Sequence, residues 1–322
     1  TYRVTSCLSI ASPQLRKLTR TVNILMSPEN NASLEKPFLI GIDSDGTVFN
    51  SMEIKHKRVF QPVAIEVWGL QGVQDAYCEI AESINLYSDL RGINRFTALA
   101  LAFERLGAQS GEAAALLAGH GDLQAFVRRS GPLSYAALVD YNKGKQSAFL
   151  DKVMEWSRRC DERYAEIMES EGNPPYPRVR EILSRAAEKS GIVVISSSSR
   201  ETLEQDWGEA GLLSMVTRVE GQEQGTKASQ LASALRGGRD PHTALMIGDA
   251  MGDLEAARVN GILFYPIKPG EEEKSWERFE AEALERFYAG TYAGEYEKAL
   301  LADFEQALRP DSSHAPARAL TR

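Results

Sequence analysis

The sequence is poor in residues that cross-link, span a membrane or ligate soft metals. Its three cysteines, Cys7, Cys78 and Cys160, are odd in number, scattered and without metal-ligand spacing. No disulfide framework is expected, and a reducing compartment, the cytoplasm, is the expected location. The four histidines, His56, His120, His242 and His314, are equally dispersed, which argues against a His-based zinc site. No apolar run reaches the ~18 residues that a membrane-spanning helix requires. Positive charge is in deficit, with 37 Lys and Arg against 45 Asp and Glu, a net charge of −8 and a pI near 5.3. A general nucleic-acid or anionic-membrane surface is therefore not expected, and any basic site must be local. Residues 1–28 lack acids altogether and carry Arg3, Arg16, Lys17 and Arg20. A transit peptide is one reading of that composition. An irregular N-terminal extension over 1–36, ahead of a natural start at Met26, is the plainer one. Residues 309–322, rich in Pro, Ser, Ala and Arg, read as a disordered tail.

Against these absences stands one dense feature. Residues 38–42, Phe-Leu-Ile-Gly-Ile, form an apolar run that reads as a strand buried on both faces. It ends in Asp43-Ser44-Asp45-Gly46-Thr47. Two carboxylates just beyond a buried strand are costly unless paired. A divalent cation is the usual means of holding them. One acid could then attack phosphorus while the other handles protons. The competing reading is an ordinary Asp-Gly turn.

Four more apolar segments follow, at 191–195, 215–219 (the weakest), 244–247 and 262–267, separated by helical patterns near 200–211, 227–236 and 252–259. Strands alternating with helices imply a parallel sheet covered on both faces, in an α/β, Rossmann-like core. Ligands of such sheets sit beyond the carboxyl ends of the strands. Between 50 and 190 the pattern is helical, with helices expected at 72–88, 93–107, 110–118, 133–142, 146–170 and 177–189. Asn173-Pro174-Pro175-Tyr176-Pro177 marks the return. This gives a core over 37–50 and 178–270, an inserted all-α domain over 51–177, and a helical C-terminal extension over 271–308. The acidic start of that extension, Glu271-Glu272-Glu273, reads as a solvated helix end.

The strand ends carry the remaining chemistry. Ser196-Ser197-Ser198-Ser199-Arg200 follows the second strand, where a hydroxyl and free backbone N–H groups suit a phosphate. Capping is the alternative, because Ser198 and Glu201 have capping-box spacing. Lys227 opens a helical pattern, and Gly248-Asp249-Ala250-Met251-Gly252-Asp253 follows the fourth strand. Asp249 and Asp253, four apart, share a helix face if a helix has begun.

These four elements, in this order, resemble the motifs of the haloacid dehalogenase (HAD) superfamily, in its phosphatase and β-phosphoglucomutase-like branch. The resemblance covers 38–50 and about 190–268 and implies a helical cap inserted after the first motif. It implies Mg²⁺ as cofactor and a small phosphorylated metabolite as substrate. Asp43 would be the nucleophile that forms an aspartyl-phosphate, Asp45 the general acid and base, and Thr47 the residue orienting Asp45. Ser196, or Ser197 in its place, would bind the phosphoryl group, and Lys227 would neutralise charge beside Asp43. Asp249 would ligate the metal with Asp43 and the Asp45 carbonyl. Asp253 would hold the lysine or a metal-bound water. Dehalogenases of the superfamily lack the second acid, so Asp45 favours phosphoryl transfer.

Thirty-one positions separate Ser196 from Lys227, too few for the larger alternative cap, and the helical insertion is longer than usual for the family. Within it, Leu90-Arg91-Gly92-Ile93-Asn94-Arg95 resembles a sugar-phosphate specificity loop. Arg91 and Arg95 would clamp a second anionic group. His56, in Lys55-His56-Lys57-Arg58, is a further candidate substrate contact, with a solvated helix face as the alternative. Hinges are expected near 50–55 and 173–178. A hydrolase is the leading reading, a phosphomutase or a non-catalytic binding protein the alternatives, and the assembly a monomer or homodimer.

Overall fold

The computed structural model describes residues 36–235 and 239–308. The N-terminal extension and the C-terminal tail expected from sequence lie outside those residues, apart from Lys36 at the start. Five strands form one parallel sheet: β1 (Phe38–Ile42), β2 (Ser190–Ile195), β3 (Arg218–Glu220), β4 (Ala244–Gly248) and β5 (Leu263–Pro266). Their order is β3-β2-β1-β4-β5. The chain starts in the middle, moves outward through β2 and β3, then reappears on the other side as β4 and β5. The reversal leaves a crevice at the carboxyl ends of β1 and β4, where open α/β sheets bind ligands.

The two faces of β1 explain its unbroken apolar sequence. Ile40 and Ile42 face one core layer, shared with Ile182, Leu183, Trp207 and Phe279. Leu39 faces the other, shared with Val193, Leu231, Met246 and Phe304. Gly41 sits where a Cβ would lie 2.9 Å from Leu231 Cδ1 and 3.0 Å from Met246 Sδ. Its missing side chain is what lets the covering helix approach the central strand. The third strand pairs over 218–220 rather than 215–219. Residues Leu213–Met215 wind into a 3₁₀ turn, and pairing begins only at Val193 opposite Arg218.

Between β1 and β2 the chain forms a helical layer with a core of its own, containing Trp68, Phe103, Phe126 and Trp156. Its helices are α1 (51–68), α2 (Gln74–Asn85), α3 (Arg95–Gln109), α4 (Gly111–Leu116), α5 (Gly121–Arg128), α6 (Tyr135–Lys145) and α7 (Ala148–Glu171). Ser110, Ser134 and Ser147 cap α4, α6 and α7 by accepting from backbone N–H groups three residues on. The sequence reading did not include α1 or α5. Helix α1 contains Pro62 and a wide π-type stretch, Ile54–Phe60, just before it. Proline lacks the N–H that a regular helix needs at that point, and the wider turn accommodates it. The chain enters and leaves the layer at one place, where Phe49 bridges Pro175 and Tyr176 N donates to Val48 O at 2.8 Å.

The core continues with α8 (Val179–Lys189), α9 (Arg200–Glu209), α10 (Lys227–Ala234), α11 (Met251–Val259), α12 (272–288, with a π-type stretch at Phe279–Ala283) and α13 (Glu295–Ala307). Helices α12 and α13 pack on the sheet: Trp276, Phe279 and Phe287 enter one layer and Phe304 the other. The Trp276 ring is fully buried, and its Nε1–H donates to Thr47 O at 2.9 Å. Trp276→Phe would keep most of the packing and leave that carbonyl without its donor. Unfolding in denaturant is expected to show a loss of about 1–3 kcal/mol. An unchanged midpoint would mean that the hydrogen bond is replaced.

Candidate active site

The site is built from the carboxyl ends of β1, β2 and β4. Beyond β1, the chain stays extended for one residue, and Asp43 N donates to Ile247 O at 2.9 Å. The loop then turns tightly: Gly46 has φ +77°, and a Cβ there would collide with the Asp249 carboxylate. Two tryptophans hold the turn from behind. Trp207 Nε1–H donates to Ser44 Oγ at 3.0 Å, and Trp276 holds the Thr47 carbonyl.

Three carboxylates meet in front of this turn. Asp43, Asp249 and Asp253 are all buried, and one oxygen of each lies within 4.8 Å of the others. Lys227, at the start of α10, reaches Asp43 Oδ2 at 2.8 Å and Asp253 Oδ1 at 2.7 Å. Asp253 Oδ2 accepts from Ala250 N at 3.1 Å. Burial raises the Asp43 carboxyl well above its ordinary value; Lys227 opposes this, and the two neighbouring acids add to it. Asp253 is raised in the same way, again against Lys227. Burial works against the Lys227 charge, yet Asp253 and Asp43 outweigh it and hold the ammonium protonated.

Asp45 points elsewhere. Its Oδ2 accepts from Lys55 Nζ at 2.7 Å and from Ser198 Oγ at 2.9 Å, and its Oδ1 accepts from Ser51 Oγ. Burial would raise this carboxyl, but Lys55 and the two hydroxyls lower it to about 2. Asp45 is thus an ionised acid beside, not within, the three-carboxylate group.

Several residues stand differently from the sequence expectation. Thr47 does not orient Asp45; its Oγ1 donates to Asp249 Oδ1 at 2.6 Å, because the Gly46 turn carries it across to β4. Ser198 does not cap α9. Ser199 does, accepting from Thr202 N at 3.2 Å, which frees Ser198 for Asp45. Ser196 is buried, its Oγ accepting from Ser198 N at 3.2 Å, and Ser197 is exposed; both border the cleft. Arg91 is not open to a distant anion. It is buried, with Nε donating to Asp249 Oδ2 at 2.6 Å and a terminal nitrogen donating to Leu86 O at 2.9 Å. Arg95 is engaged with Asp161 at 2.7 Å and lies over the Phe60 ring at 5.1 Å. His56 is buried edge-on against Phe60; burial, then Arg91 and Lys55, lowers it to about 3, so it is neutral at physiological pH. The basic cluster around it divides. Lys55 and His56 border the cleft, while Lys57 pairs with Glu53 and Arg58 with Glu171. Of the acidic run at the start of α12, Glu272 is partly buried and feels both Arg91 and Asp249.

Lys55, Ser51, Ser198, Trp207 and Trp276 were missed as site-building residues. The basic cluster after the first motif was the one available signal for Lys55. Core and helical layer together enclose a cleft of about 1140 Å³ that reaches from Asp43 and Lys227 to Arg95 and Tyr135.

The model of haloacid dehalogenase-like hydrolases matches residues 39–261, a span that contains Asp43, Asp45, Asp249, Asp253 and the helical layer. A comparison with curated proteins finds no match. Among solved structures, a HAD-superfamily hydrolase of subfamily IA from Geobacter sulfurreducens is 17% identical, covering 72% of this chain and 88% of that one, with a TM-score of 0.39. A hydrolase from Pseudomonas syringae is 15% identical, covering 74% and 90%, with a TM-score of 0.42. With strand order, strand-end acids and matched span in agreement, the chain belongs to the haloacid dehalogenase-like hydrolase family.

Proposed function

We propose that this protein is a Mg²⁺-dependent phosphomonoester hydrolase that acts on a small phosphorylated metabolite, of the sugar-phosphate or phosphoglycolate kind, through an aspartyl-phosphate at Asp43. The observation that carries this reading is the separation of two acids by their partners: Asp43 on Lys227 inside the carboxylate group, Asp45 on Lys55 and two serines beside it. One carboxylate is thereby assigned to phosphorus and the other to protons. In the transfer step an Asp43 oxygen bonds to phosphorus as the bond to the leaving oxygen breaks; Asp45, ionised while it faces Lys55, first takes up a proton from solvent and then passes it to that oxygen. In the hydrolytic step Asp45 takes a proton from water, whose oxygen attacks phosphorus and releases phosphate and the Asp43 carboxylate. Lys227 offsets charge beside Asp43, and Ser196 and Ser197 with the backbone after β2 receive the phosphoryl oxygens.

The donor set suits a hard divalent cation. Three carboxylates face two cationic side chains, Lys227 and Arg91, which leaves one negative charge uncompensated. Asp43 and Asp249 would hold the ion, with the Asp45 backbone carbonyl as the family resemblance implies. Asp253, whose oxygens already serve Lys227 and Ala250 N, would act through the lysine. A bound Mg²⁺ would supply charge neutralisation at the phosphoryl group. Arg91 and Arg95 are engaged by Asp249 and Asp161, which removes the free arginine pair expected to clamp a second anionic group. The intact acids speak against a binding protein. The cleft between sheet and helical layer supports cap closure over the substrate. Free Cys78 and Cys160 support a reducing, cytoplasmic setting. Among the described residues no helix is long and apolar enough to cross a membrane.

Across a panel of sugar phosphates, phosphoglycolate and nucleotides, the parent is expected to release phosphate with Mg²⁺ and to stop with EDTA. Asp43→Asn is expected to lose at least ~10³ of the rate. Equal release by parent and variant would overturn the reading. Arg91 gives a second prediction, because it occupies Asp249 Oδ2. Arg91→Met removes that competitor and is expected to tighten Mg²⁺ binding about tenfold by calorimetry, roughly 1.4 kcal/mol. Unchanged or weaker binding would show that Arg91 and the ion do not compete.

A further inference from the structure

We propose that Gln230 is a positioning residue for the seat of the phosphoryl group after β2, holding the Ser196–Ser197 peptide so that the Ser197 N–H faces the cleft. The proposal rests on the hydrolase reading above and adds to it a residue that neither the strand-end motifs nor the family resemblance assigns. Gln230 lies on α10, three residues after Lys227, and is fully buried. Its Nε2 donates to three backbone carbonyls: Gly221 O at 2.7 Å, Ser196 O at 3.1 Å and Gly225 O at 3.1 Å. Three carbonyls would repel the oxygen of the amide, which fixes the orientation of the group. Its Oε1 is buried and has no partner among the described residues. An apolar side chain of the same size would avoid that unpaired acceptor but would leave Ser196 O and Gly225 O without this donor.

The three carbonyls belong to two loops that the reaction needs in register. The β2–β3 ladder ends with Ile195 opposite Glu220. Beyond it the chains are laced by Ser196 N on Glu220 O at 3.1 Å and by Gln222 N on Ser198 O at 2.9 Å, and Gln230 bonds the two carbonyls between. A Cβ on Gly221 would lie 2.9 Å from Ser198 O, so the loops are in close contact. A trans peptide carries its C=O and the following N–H on opposite sides. With Ser196 O turned toward α10, the Ser197 N–H is turned away from it. That N–H has no acceptor among the described residues, and Ser197 borders the cleft. It is a free donor of the kind that receives a phosphoryl oxygen. The third carbonyl, Gly225 O, lies two residues before Lys227 and fixes the point from which that side chain reaches Asp43 at 2.8 Å. One amide therefore sets the phosphoryl seat and the neutralising ammonium in a single frame.

The test compares inorganic phosphate with Mg²⁺, because Gln230 braces the seat of the first and touches none of the carboxylates that would hold the second. Gln230→Met keeps the length of the side chain and removes the donor. Calorimetry is expected to show phosphate, added with saturating Mg²⁺, binding about tenfold more weakly, and Mg²⁺ alone binding within about twofold of the parent. On the best ester of the panel, KM is expected to rise about tenfold and kcat to fall less than about threefold. Unchanged phosphate affinity, phosphate and Mg²⁺ affinities that fall together, or a fall in kcat at unchanged KM would overturn the proposal. A measurement on the unaltered protein covers a variant that does not fold. In the ¹⁵N-labelled parent, phosphate is expected to shift the Ser197 amide and the Gln230 side-chain amide along one binding curve, since hydrogen bonds at the two ends of a peptide polarise each other. A Ser197 shift with Gln230 unmoved would overturn the coupling. A parent that binds phosphate in this way yet releases none from any ester would sink the hydrolase reading and leave the role of Gln230 standing. A parent that binds no phosphate would overturn both.

Discussion

Three carboxylates held within 4.8 Å of one another and almost out of water repel strongly unless cations answer them. Their spacing follows from the sheet: Asp43 and Asp249 extend adjacent parallel strands whose register is fixed by Ile42 opposite Ile247. Asp253 comes one helical turn later, on α11. The answering charges come from further away. Lys227 is carried in by α10 and Arg91 by the loop between α2 and α3 of the helical layer. The insertion is therefore an electrostatic part of the core as well as a cover for it. A buried Arg91 is tolerable because Asp249 and the Leu86 carbonyl receive it, and Asp249 is tolerable because Arg91 and Thr47 do.

A cluster of this kind demands a stiff loop beneath it. Residues 43–47 are gripped from two sides by indole N–H groups, Trp207 from α9 on Ser44 and Trp276 from α12 on Thr47. Both rings are fully buried in the same core layer as Ile40 and Ile42. Hydrophobic packing thereby sets the position of a polar turn. The helices after residue 271, which lie beyond the family match, contribute one of these two grips.

The parallel core was legible because β1, β2 and β4 are short apolar runs that end in polar residues, and Asp43 and Asp249 were legible because they follow two of those runs; β3, Arg-Val-Glu, is no such run, and its bounds were misjudged. The side-chain pairings were less so. Thr47 was assigned to Asp45 by motif order, but the direction of its hydroxyl is decided by the positive φ of Gly46, which brings β4 within reach. Ser198 and Ser199 are chemically alike, and only the starting point of α9 decides which of them caps. Arg91 and Arg95 looked equivalent around Gly92, yet one became buried against Asp249 and the other stayed half-exposed on Asp161. These are long-range choices between like residues, and local pattern holds no information about them. Helix α1 was hidden by a different cause, since its proline and charged stretch hide the periodicity that a wide turn sustains.

The bridge between Phe49 and Pro175 has a bearing on how such a chain changes over time. The two connections of the helical layer run side by side, tied again by Tyr176 N on Val48 O. From the standpoint of the sheet, everything between them is a closed excursion that returns to its point of departure. Helices can be added to or removed from that excursion without altering the register of β1 and β2, because loop closure grows costly only slowly with length. A long helical insertion on a five-stranded sheet is what such an arrangement permits. Substrate range can thus diversify in one segment while the reacting groups remain under the constraints of another.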